Sequence, residues 1–392
     1  MDFSKFDNEV YSRKDFEFLG SLGRNSVSRV EKVRYIKDTT EYALKIFERS
    51  NIDSLEKYEQ LLTEKLMLEK CNHPGILKLI GSFTDTQYIY LILEYCAYGD
   101  FEKFLSRFSA FPFELVRFYS GELVSVLTYF SSLGIVHGNL KPRNILVSKS
   151  LHLKITDFRN TKINQQAKRK VSSLLSADYI SPELLDEGEA GVPADLWALG
   201  CVIYQMLVGS PPFVSQTQYT TFDRIRTGNV DFPLSLPPFA VDLIQSLLLP
   251  DPQLRIGVAD IEELTTHIFF QGLDINRIFT LQPPDYVYEM MTEQTIESKV
   301  IMREIVKKKC GWLYKKRMLE ITEKPCITYY EPVKMELRGT IEISPQLKVE
   351  IKNKTDFVIS IPKRPYFFRT VSGGCEAWVT AINDLVRRLY GS

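Results

Sequence analysis

One segment constrains this chain more than any other: residues 137–160, which read HGNLKPRNILVSKSLHLKITDFRN. It contains an amide and a carboxylate suited to hold a metal ion, Asn144 and Asp157, and a lysine shortly before them, Lys141. Phosphoryl transfer from ATP needs such metal ligands, a lysine held by a glutamate, and an acid that orients the attacking hydroxyl. The segment therefore predicts a phosphotransfer site with Asn144 and Asp157 as metal ligands.

The lysine and glutamate that this chemistry needs occur earlier in the chain. Lys45 ends the strand-like run EYALKIF, and Glu64 lies in the next segment, where leucines recur at helical spacing. An isolated lysine and glutamate are far more often surface residues, but their order relative to residues 137–160 favours a pair that fixes the ATP phosphates. We therefore predict an ion pair between Lys45 and Glu64.

Apolar periodicity divides the chain into regions of different secondary structure. Residues 16–47 contain strand-like runs with alternating apolar positions. Residues 112–134 and 194–213 instead have the apolar density of helices, and the second is stopped by Gly and Pro. A small β-rich lobe is therefore expected to precede a larger helical lobe, within residues 16–270.

The end of the chain indicates a further domain. Periodicity lapses over residues 271–299, which mix Pro, Gly and acidic residues and are interpreted as a linker. Short strand-like runs then precede a helical segment, CEAWVTAINDLVRRLY. A chain of 392 residues can hold more than one core, because single cores rarely grow beyond about 250 to 300 residues. We therefore expect an α+β protein with a second domain over residues 300–392.

The charges of the chain are unevenly distributed. Basic and acidic residues number 49 each, but residues 300–392 carry 18 basic and 10 acidic ones. This asymmetry suggests that the second domain meets an anionic partner, although a basic segment is equally compatible with a solvated surface.

Cysteine usage and hydropathy indicate the cellular setting. The six cysteines are widely separated, without a CxxC pair or a histidine at ligand spacing, which argues against a zinc site and a disulfide framework. Residues 1–20 lack the apolar core of a signal peptide, and no run of about 18 apolar residues occurs. We expect a cytoplasmic protein and no nucleic acid among its partners.

Further ordered motifs follow the central segment. SPE stands at residues 181–183, DLWALG at residues 195–200, and Arg255 in DPQLRIG. Together with LKPRNIL and KITDF, these motifs resemble those of the phosphoinositide-dependent protein kinases, an AGC-type serine/threonine family, from about Phe16 to the C-terminus. The resemblance implies a bilobal protein-kinase fold in which Glu183 and Arg255 form a structural pair.

The resemblance extends to the nucleotide site and the loop after it. It implies ATP and Mg²⁺ as cofactors. Ser172 matches the family's activation-loop phosphorylation site, but Gly138 replaces the arginine that would clamp its phosphate, so a plain Ser-rich loop is the better interpretation. Besides Lys45 and Glu64, it assigns these residues to ATP binding: Leu22, Gly23, Val30, Ala43, Glu94, Cys96 and Asp100.

The second domain resembles the family's pleckstrin-homology domain through GWLYKKRMLEITEKP and CEAWVTAI. The resemblance implies a β-barrel capped by a C-terminal helix, which Trp378 packs onto the barrel. It also implies phosphoinositide binding, and hence recruitment to the plasma membrane. A basic barrel edge without lipid selectivity is the alternative, since clustered charge alone attracts anionic lipid. The implied lipid-binding residues are Lys308, Lys315, Arg317 and Arg338.

Partner kinases are the other implied ligands. In the family, a hydrophobic phosphorylated motif of substrate kinases docks in a groove of the small lobe. An apolar stripe on that helix is more often core packing, so both interpretations stay open. No Phe-x-x-Phe motif occurs after Phe270. The matching groove residues are Arg49, Ile52, Tyr58, Leu61 and Lys65.

The sequence departs from the family pattern where the attacking hydroxyl is activated. The HRD triplet reads HGN, so Asn139 stands in place of the aspartate that accepts the hydroxyl proton. An amide cannot act as that base, and general-base catalysis typically contributes about 10²- to 10⁴-fold. Arg143 replaces the catalytic-loop glutamate, and this change puts the substrate class in doubt.

Two further departures concern the phosphates. Arg159 replaces the DFG glycine, and only Gly23 survives of the three glycines in the nucleotide loop. Asn25 is expected to preserve the turn of that loop, since asparagine tolerates positive φ. Two hypotheses remain: a slow kinase that phosphorylates activation loops of other kinases, or a pseudokinase scaffold that docks partner kinases and binds phosphoinositide membranes.

Overall fold

The chain folds into two compact units, residues Met1–Asp285 and Tyr286–Ser392. Within the part of the chain that is described, no helix is long and apolar enough to span a bilayer. The computed structural model describes residues 1–7, 10–25, 27–106, 108, 110–163, 177–188, 191–215, 217–287, 300–311, 313–322, 326–332, 337–362, 364–371 and 373–390.

The small lobe of the first unit is built on an antiparallel sheet with strand order β1-β2-β3-β5-β4. Alternating side chains of these strands form one apolar cluster around Phe16, Leu44 and Tyr90. Ser54 caps helix α1 by accepting a hydrogen bond from the Lys57 amide. The elements are β1 (Phe16–Arg24), β2 (Ser28–Tyr35), β3 (Glu41–Glu48), α1 (Leu55–Lys70), β4 (Leu79–Thr84) and β5 (Tyr88–Glu94).

The large lobe is mostly helical. It also contains two short strand pairs, β6 with β9 and β7 with β8. Residues 137–144 connect β6 to β7, and residues 156–161 connect β8 to β9. The helices are α2 (Phe101–Ser106), α3 (Phe113–Ser132), α4 (Pro182–Glu187), α5 (Val192–Val208), α6 (Gln218–Thr227), α7 (Pro238–Leu247) and α8 (Ile261–Thr265). The short strands are β6 (Ile135–Val136), β7 (Ile145–Val147), β8 (Leu153–Ile155) and β9 (Lys162–Ile163).

Helix α5 is apolar on nearly all sides because it runs through the core of this lobe. Thirteen of its residues are buried, including Trp197, and a helix that is apolar all round is expected to be buried. The Arg255 guanidinium lies over the Trp197 ring and donates two hydrogen bonds to Glu183, of 2.6 and 2.7 Å. This pair links α4 to the loop before α8, as the sequence motifs indicate.

Part of the predicted linker packs on the large lobe. The turn Ile275–Thr280 lies against α3, and the Ile278 side chain is fully buried. The first compact unit therefore extends past residue 270, to Asp285.

The second unit contains seven antiparallel strands in the order β13-β12-β11-β10-β16-β15-β14. The predicted barrel is open here, because the described residues form no hydrogen-bonded ladder between the edge strands β13 and β14. Trp378 of the last helix is fully buried and stacks on Phe357. The elements are β10 (Val300–Cys310), β11 (Leu313–Thr322), β12 (Cys326–Tyr330), β13 (Leu337–Glu342), β14 (Lys348–Ile351), β15 (Asp356–Ile361), β16 (Arg364–Thr370) and α9 (Glu376–Tyr390).

Candidate active site, docking groove and lipid-binding surface

A buried ion pair joins the sheet and the helix of the small lobe. Lys45 Nζ on β3 lies 2.5 Å from Glu64 Oε1 on α1. Glu64 is fully buried, and Lys45 is 8% exposed. Helix α1 packs against the turn Phe158–Asn160, which brings the pair close to the DFG-like segment. The pair thus has the arrangement that positions a lysine for a phosphate anion.

Asp195 on α5 fixes the backbone of the catalytic loop. Its two carboxylate oxygens accept hydrogen bonds from the amides of His137 and Gly138, at 2.7 and 2.8 Å. Burial raises the pKa of the Asp195 carboxyl above its ordinary value. Gly138 has a φ of 71°, a backbone conformation that glycine adopts without a steric cost. The family's arginine is absent, but the loop keeps its backbone support.

Asn139 lies in this loop with its backbone fixed. Its carbonyl oxygen accepts a hydrogen bond of 2.8 Å from Asn144 Nδ2. The backbone N–H of Asn144 donates a hydrogen bond of 2.9 Å to the carbonyl oxygen of Lys141. Burial lowers the pKa of the Lys141 ammonium below its ordinary value, and the charge of Asp157 opposes that shift. The three catalytic-loop positions therefore form one hydrogen-bonded unit.

The guanidinium group of Arg159 contacts the carboxylate of Asp157 through two nitrogen atoms. Arg159 Nε and Nη2 lie 2.5 and 2.9 Å from the two carboxylate oxygens of Asp157. Burial raises the pKa of the Asp157 carboxyl, but the hydrogen bond and charge of Arg159 outweigh it, so the net pKa is below the ordinary value. The hydrogen bond with Asp157 also raises the pKa of Arg159. Both oxygens of the predicted metal ligand are thus engaged by the residue that replaced glycine.

The nucleotide loop between β1 and β2 is closed by a side chain. Asn25 Oδ1 accepts hydrogen bonds from the amides of Val27 and Ser28, at 2.9 and 2.7 Å. Asn25 is not among the residues with positive φ, so the expectation of a positive-φ turn was wrong. Before the turn, Gly23 pairs with Val30, and Leu22 is 40% exposed. The loop keeps a turn by Asx hydrogen bonding in place of glycine.

The strand pairing places other predicted nucleotide-site residues near Lys45. Val30 is directly opposite Lys45 on the neighbouring strand, and Ala43 lies two residues before Lys45 on the same face. Cys96 follows β5, is buried, and has a thiol whose pKa burial raises to about 12. The thiol is therefore neutral at physiological pH.

Two acidic residues assigned to nucleotide binding are engaged within the protein. Glu94 accepts a hydrogen bond from the Lys78 amide at 2.7 Å and lies 3.0 Å from Lys154 Nζ. Asp100 accepts one from the Lys103 amide at 2.8 Å, at the start of α2. Their carboxylates contribute to the local fold as well as to the predicted site.

The arginine that replaces the catalytic-loop glutamate has an acidic partner. Arg143 Nη2 lies 2.6 Å from Glu102 Oε2 on α2, and both side chains are substantially exposed. The hydrogen bond with Glu102 raises the pKa of Arg143. The pair reduces the repulsion that Arg143 alone would exert on a basic peptide.

Ser172, which matches the family's activation-loop phosphorylation site, lies outside the described residues.

The predicted docking groove is lined by buried residues of the small lobe. Ile52, Tyr58 and Leu61 are each at most 6% exposed. Lys65 lies 2.5 Å from Glu69 Oε1, so its charge is paired within α1. The remaining groove residue, Arg49, lies with its guanidinium over the ring of Phe3, 5.0 Å from the ring centroid.

In the second unit, three predicted lipid-binding residues share one face of a strand pair. Lys308 on β10 is directly opposite Lys315 on β11, and Arg317 is opposite the buried Val306. Opposed side chains of an antiparallel pair have Cβ atoms about 5 Å apart, so two like charges there repel each other. An anion bound between the two ammonium groups would relieve this repulsion.

Aromatic residues support the same surface. Lys308 Nζ lies 4.4 Å from the Tyr329 ring centroid and 5.6 Å from that of Tyr366. Lys315 is exposed, as is Arg338, which lies on β13 at an irregularity in its pairing with β12. The motif comparison did not indicate the two tyrosines, which position the lysine by cation–π contacts.

Comparison with known proteins supports the assignment of both units. The protein kinase domain family matches residues 16–270, and the PH domain family matches residues 287–391. The chain is 29% identical to 3-phosphoinositide-dependent protein kinase 1 of Rattus norvegicus, over 97% of this chain and 84% of the relative. It is 36% identical to putative 3-phosphoinositide-dependent protein kinase 2 of Homo sapiens, over 69% of this chain and 70% of the relative.

The chain belongs to the 3-phosphoinositide-dependent protein kinase family. This confirms the family resemblance and the predicted fold class, a serine/threonine-type kinase domain followed by a PH domain with a terminal helix. Protein kinases as a family use ATP and a divalent metal ion.

The residues at the metal position of this family member do not fit a divalent ion as they stand. Asn144 and Asp157 provide oxygen atoms, which magnesium prefers. Both oxygens of Asp157 are already bound by Arg159, so an ion could reach them only if the guanidinium moved away. The loss of a glycine was visible in the sequence, but nothing in the sequence indicated that its replacement would turn back onto Asp157.

Proposed function

We propose that this chain is a serine/threonine protein kinase of the phosphoinositide-dependent type whose phosphoryl transfer is strongly impaired. Its acceptors, in this proposal, are the activation loops of AGC-type kinases. The observation that carries the proposal is the two-pronged contact between Arg159 and Asp157. It engages the metal-binding carboxylate while Lys45 and Glu64 keep the pair that positions phosphate.

The protein's own residues would handle ATP as follows. Lys45 and Arg159 supply two cations on one side of the site, and both can pair with phosphate oxygens through charge-assisted hydrogen bonds. Gly23 on β1 pairs with Val30, which is opposite Lys45. The Asn25 turn follows, between β1 and β2. This arrangement supports nucleotide binding, with Mg²⁺ as the proposed metal only where Arg159 releases Asp157.

The attacking hydroxyl would meet an amide in place of a carboxylate. Asn139 can orient a hydroxyl by hydrogen bonding, and Asn144 fixes its backbone. It cannot accept the proton, so the rate should fall by the roughly 10²- to 10⁴-fold that a general base contributes. Lys141 remains close to the site and can stabilise negative charge on the transferred group.

A pseudokinase scaffold is the second candidate, and the same contact favours it. If Arg159 never releases Asp157, the chain would dock partner kinases and bind membranes without transferring phosphate. The two candidates separate in one assay of γ-phosphate transfer to an AGC-kinase activation-loop peptide. Transfer by the native protein that is lost in Lys45→Ala supports the slow kinase. No transfer by the native protein or by Asn139→Asp, with transfer gained when Arg159→Gly is added to Asn139→Asp, supports the scaffold.

For the second unit, the proposal is phosphoinositide binding and recruitment of a cytoplasmic protein to the plasma membrane. The opposed lysines 308 and 315, with Arg317 on the same face, support it. Removing two basic residues should weaken binding by about 30-fold, from about 1 kcal/mol for each residue.

Lipid binding is tested with vesicles that contain a polyphosphorylated phosphoinositide or phosphatidylserine. Lys315→Ala with Arg317→Ala should lose binding to the phosphoinositide vesicles. Lys348→Ala with Lys352→Ala removes the same charge from exposed positions in β14 and just after it, and should bind nearly as the native protein does. Equal losses in both double variants, on both vesicle types, would show nonspecific attraction and contradict the proposal.

A further inference from the structure

The segment of residues 1–7 packs against two of the residues predicted to line the docking groove, Arg49 and Tyr58. Its residues Phe3–Phe6 form a single 3-10 turn that lies against β4 and β5. The Phe6 side chain is fully buried, whereas the residues on either side of it, Lys5 and Asp7, are exposed. The segment is therefore anchored by its aromatic side chains.

Tyr58 on α1 forms the other wall of this contact. Its ring meets the rings of Phe3 and Phe6 edge to face, with centroids 5.7 and 6.3 Å apart. Its hydroxyl donates a hydrogen bond of 2.6 Å to the carbonyl oxygen of Asp2. Tyr58 is also predicted to contact the docking motif of partner kinases, so residues 1–7 and a partner would compete for the same side chain.

The local sequence explains why this segment can fill a groove. In a 3-10 turn, side chains three residues apart lie on the same side, so Phe3 and Phe6 point together. Asp2 caps the turn by accepting a hydrogen bond of 3.1 Å from the Ser4 amide. The spacing of Phe3 and Phe6 is a Phe-x-x-Phe pattern, which does not occur after Phe270.

The contact also engages the groove's basic residue. The Arg49 guanidinium covers the Phe3 ring, and its buried Nε donates no hydrogen bond among the described residues. A phosphate on a competing segment would give this nitrogen a charge-assisted bond that residues 1–7 do not provide. Phosphorylated competitors should therefore displace the segment more readily than unphosphorylated ones.

We propose that residues 1–7 are an intramolecular occupant of the docking groove, which partner segments must displace before they can bind. This proposal rests on the docking function proposed for the groove. Residues 8–15 connect the segment to β1, so its effective concentration at the groove is in about the mM range. A partner's apparent affinity falls in proportion to the fraction of molecules whose groove is free.

The test uses a fluorescent peptide with the sequence MDFSKFD, titrated into the full chain. The native protein should bind it weakly, because its own segment holds the groove. Phe3→Ala with Phe6→Ala should bind it about tenfold or more tightly. Lys5→Ala, an exposed position in the same segment, should behave as the native protein does. Circular dichroism establishes that each variant is folded.

Phe3→Ala alone keeps the test decisive if the double variant is unstable, because Phe3 is only partly buried. It should give an intermediate gain in peptide affinity. Equal, measurable affinity in the native protein and both folded variants would overturn the intramolecular occupant while leaving the groove a docking site. No binding by any folded variant would overturn both. A native dimer that the double variant converts to monomer would place the segment in a second copy and overturn the proposal.

Discussion

Two arginine–carboxylate pairs of similar geometry have opposite consequences in the kinase unit. Arg255 binds both oxygens of Glu183 at 2.6 and 2.7 Å and joins parts of the large lobe. Arg159 binds both oxygens of Asp157, the predicted metal ligand, at 2.5 and 2.9 Å. The first pair preserves the family's fold, and the second opposes the family's chemistry. The structural pair of the large lobe is thus kept, whereas the predicted metal ligand has gained an arginine partner.

The largest effect is expected when Asn139 and Arg159, the two altered active-site residues, are both returned to the family's residues. Asn139→Asp combined with Arg159→Gly should raise the rate of phosphoryl transfer by about 10²- to 10⁴-fold, because a base returns and Asp157 is released. The rate is measured with ATP and an activation-loop peptide. Adding Lys45→Ala to the same variant is the control and should abolish the gain. An unchanged rate in the double variant would mean that the scaffold is altered as well.

The next effect concerns the structural pair. Glu183→Ala should lower the free energy of unfolding by about 3–5 kcal/mol, because Arg255 is 2% exposed and would be left buried without its carboxylate. Urea denaturation measures the change. Glu102→Ala removes the partner of the exposed Arg143 and should cost less than about 1 kcal/mol. Similar losses in both variants would remove the distinction between buried and exposed pairs.

A smaller effect on stability is expected at Gly138, the catalytic-loop residue whose amide donates to Asp195. Gly138→Ala should lower the free energy of unfolding by about 1–2 kcal/mol, because its φ of 71° is unfavourable for a residue with Cβ. Gly23→Ala is the matched control, since a Cβ there meets no atom within 4 Å. Thermal unfolding should rank the two variants in this order, and the reverse order would contradict the backbone constraint assigned to Gly138.

Much of this arrangement could be predicted from the sequence. The Lys45 and Glu64 contact, helix α1 and the Glu183 and Arg255 pair follow from motifs with fixed order and from helical spacing. Their role in nucleotide binding stays a prediction. The burial of Trp378 could be predicted from the family resemblance, which implies that this residue packs the terminal helix onto the strands.

Other features depend on contacts that residue types alone do not specify. The sequence shows that Arg159 replaces glycine, but not that its side chain folds back two residues onto Asp157. Asn25 was correctly linked to the turn, but for the wrong reason, since its side chain and not a positive φ closes the loop. The packing of Phe3 and Phe6 on Tyr58 could not be predicted, because their segment is short and Tyr58 is distant in sequence.

The central proposal is that the contact with Arg159 keeps a divalent ion away from Asp157. The most direct test measures the affinity for a non-hydrolysable ATP analogue, with and without Mg²⁺, in the native protein and in Arg159→Gly. We predict that Mg²⁺ changes the native affinity little and tightens binding to Arg159→Gly by about tenfold or more, because one charge-assisted contact is worth about 1.5–3 kcal/mol. The same Mg²⁺ dependence in both proteins would contradict the claim.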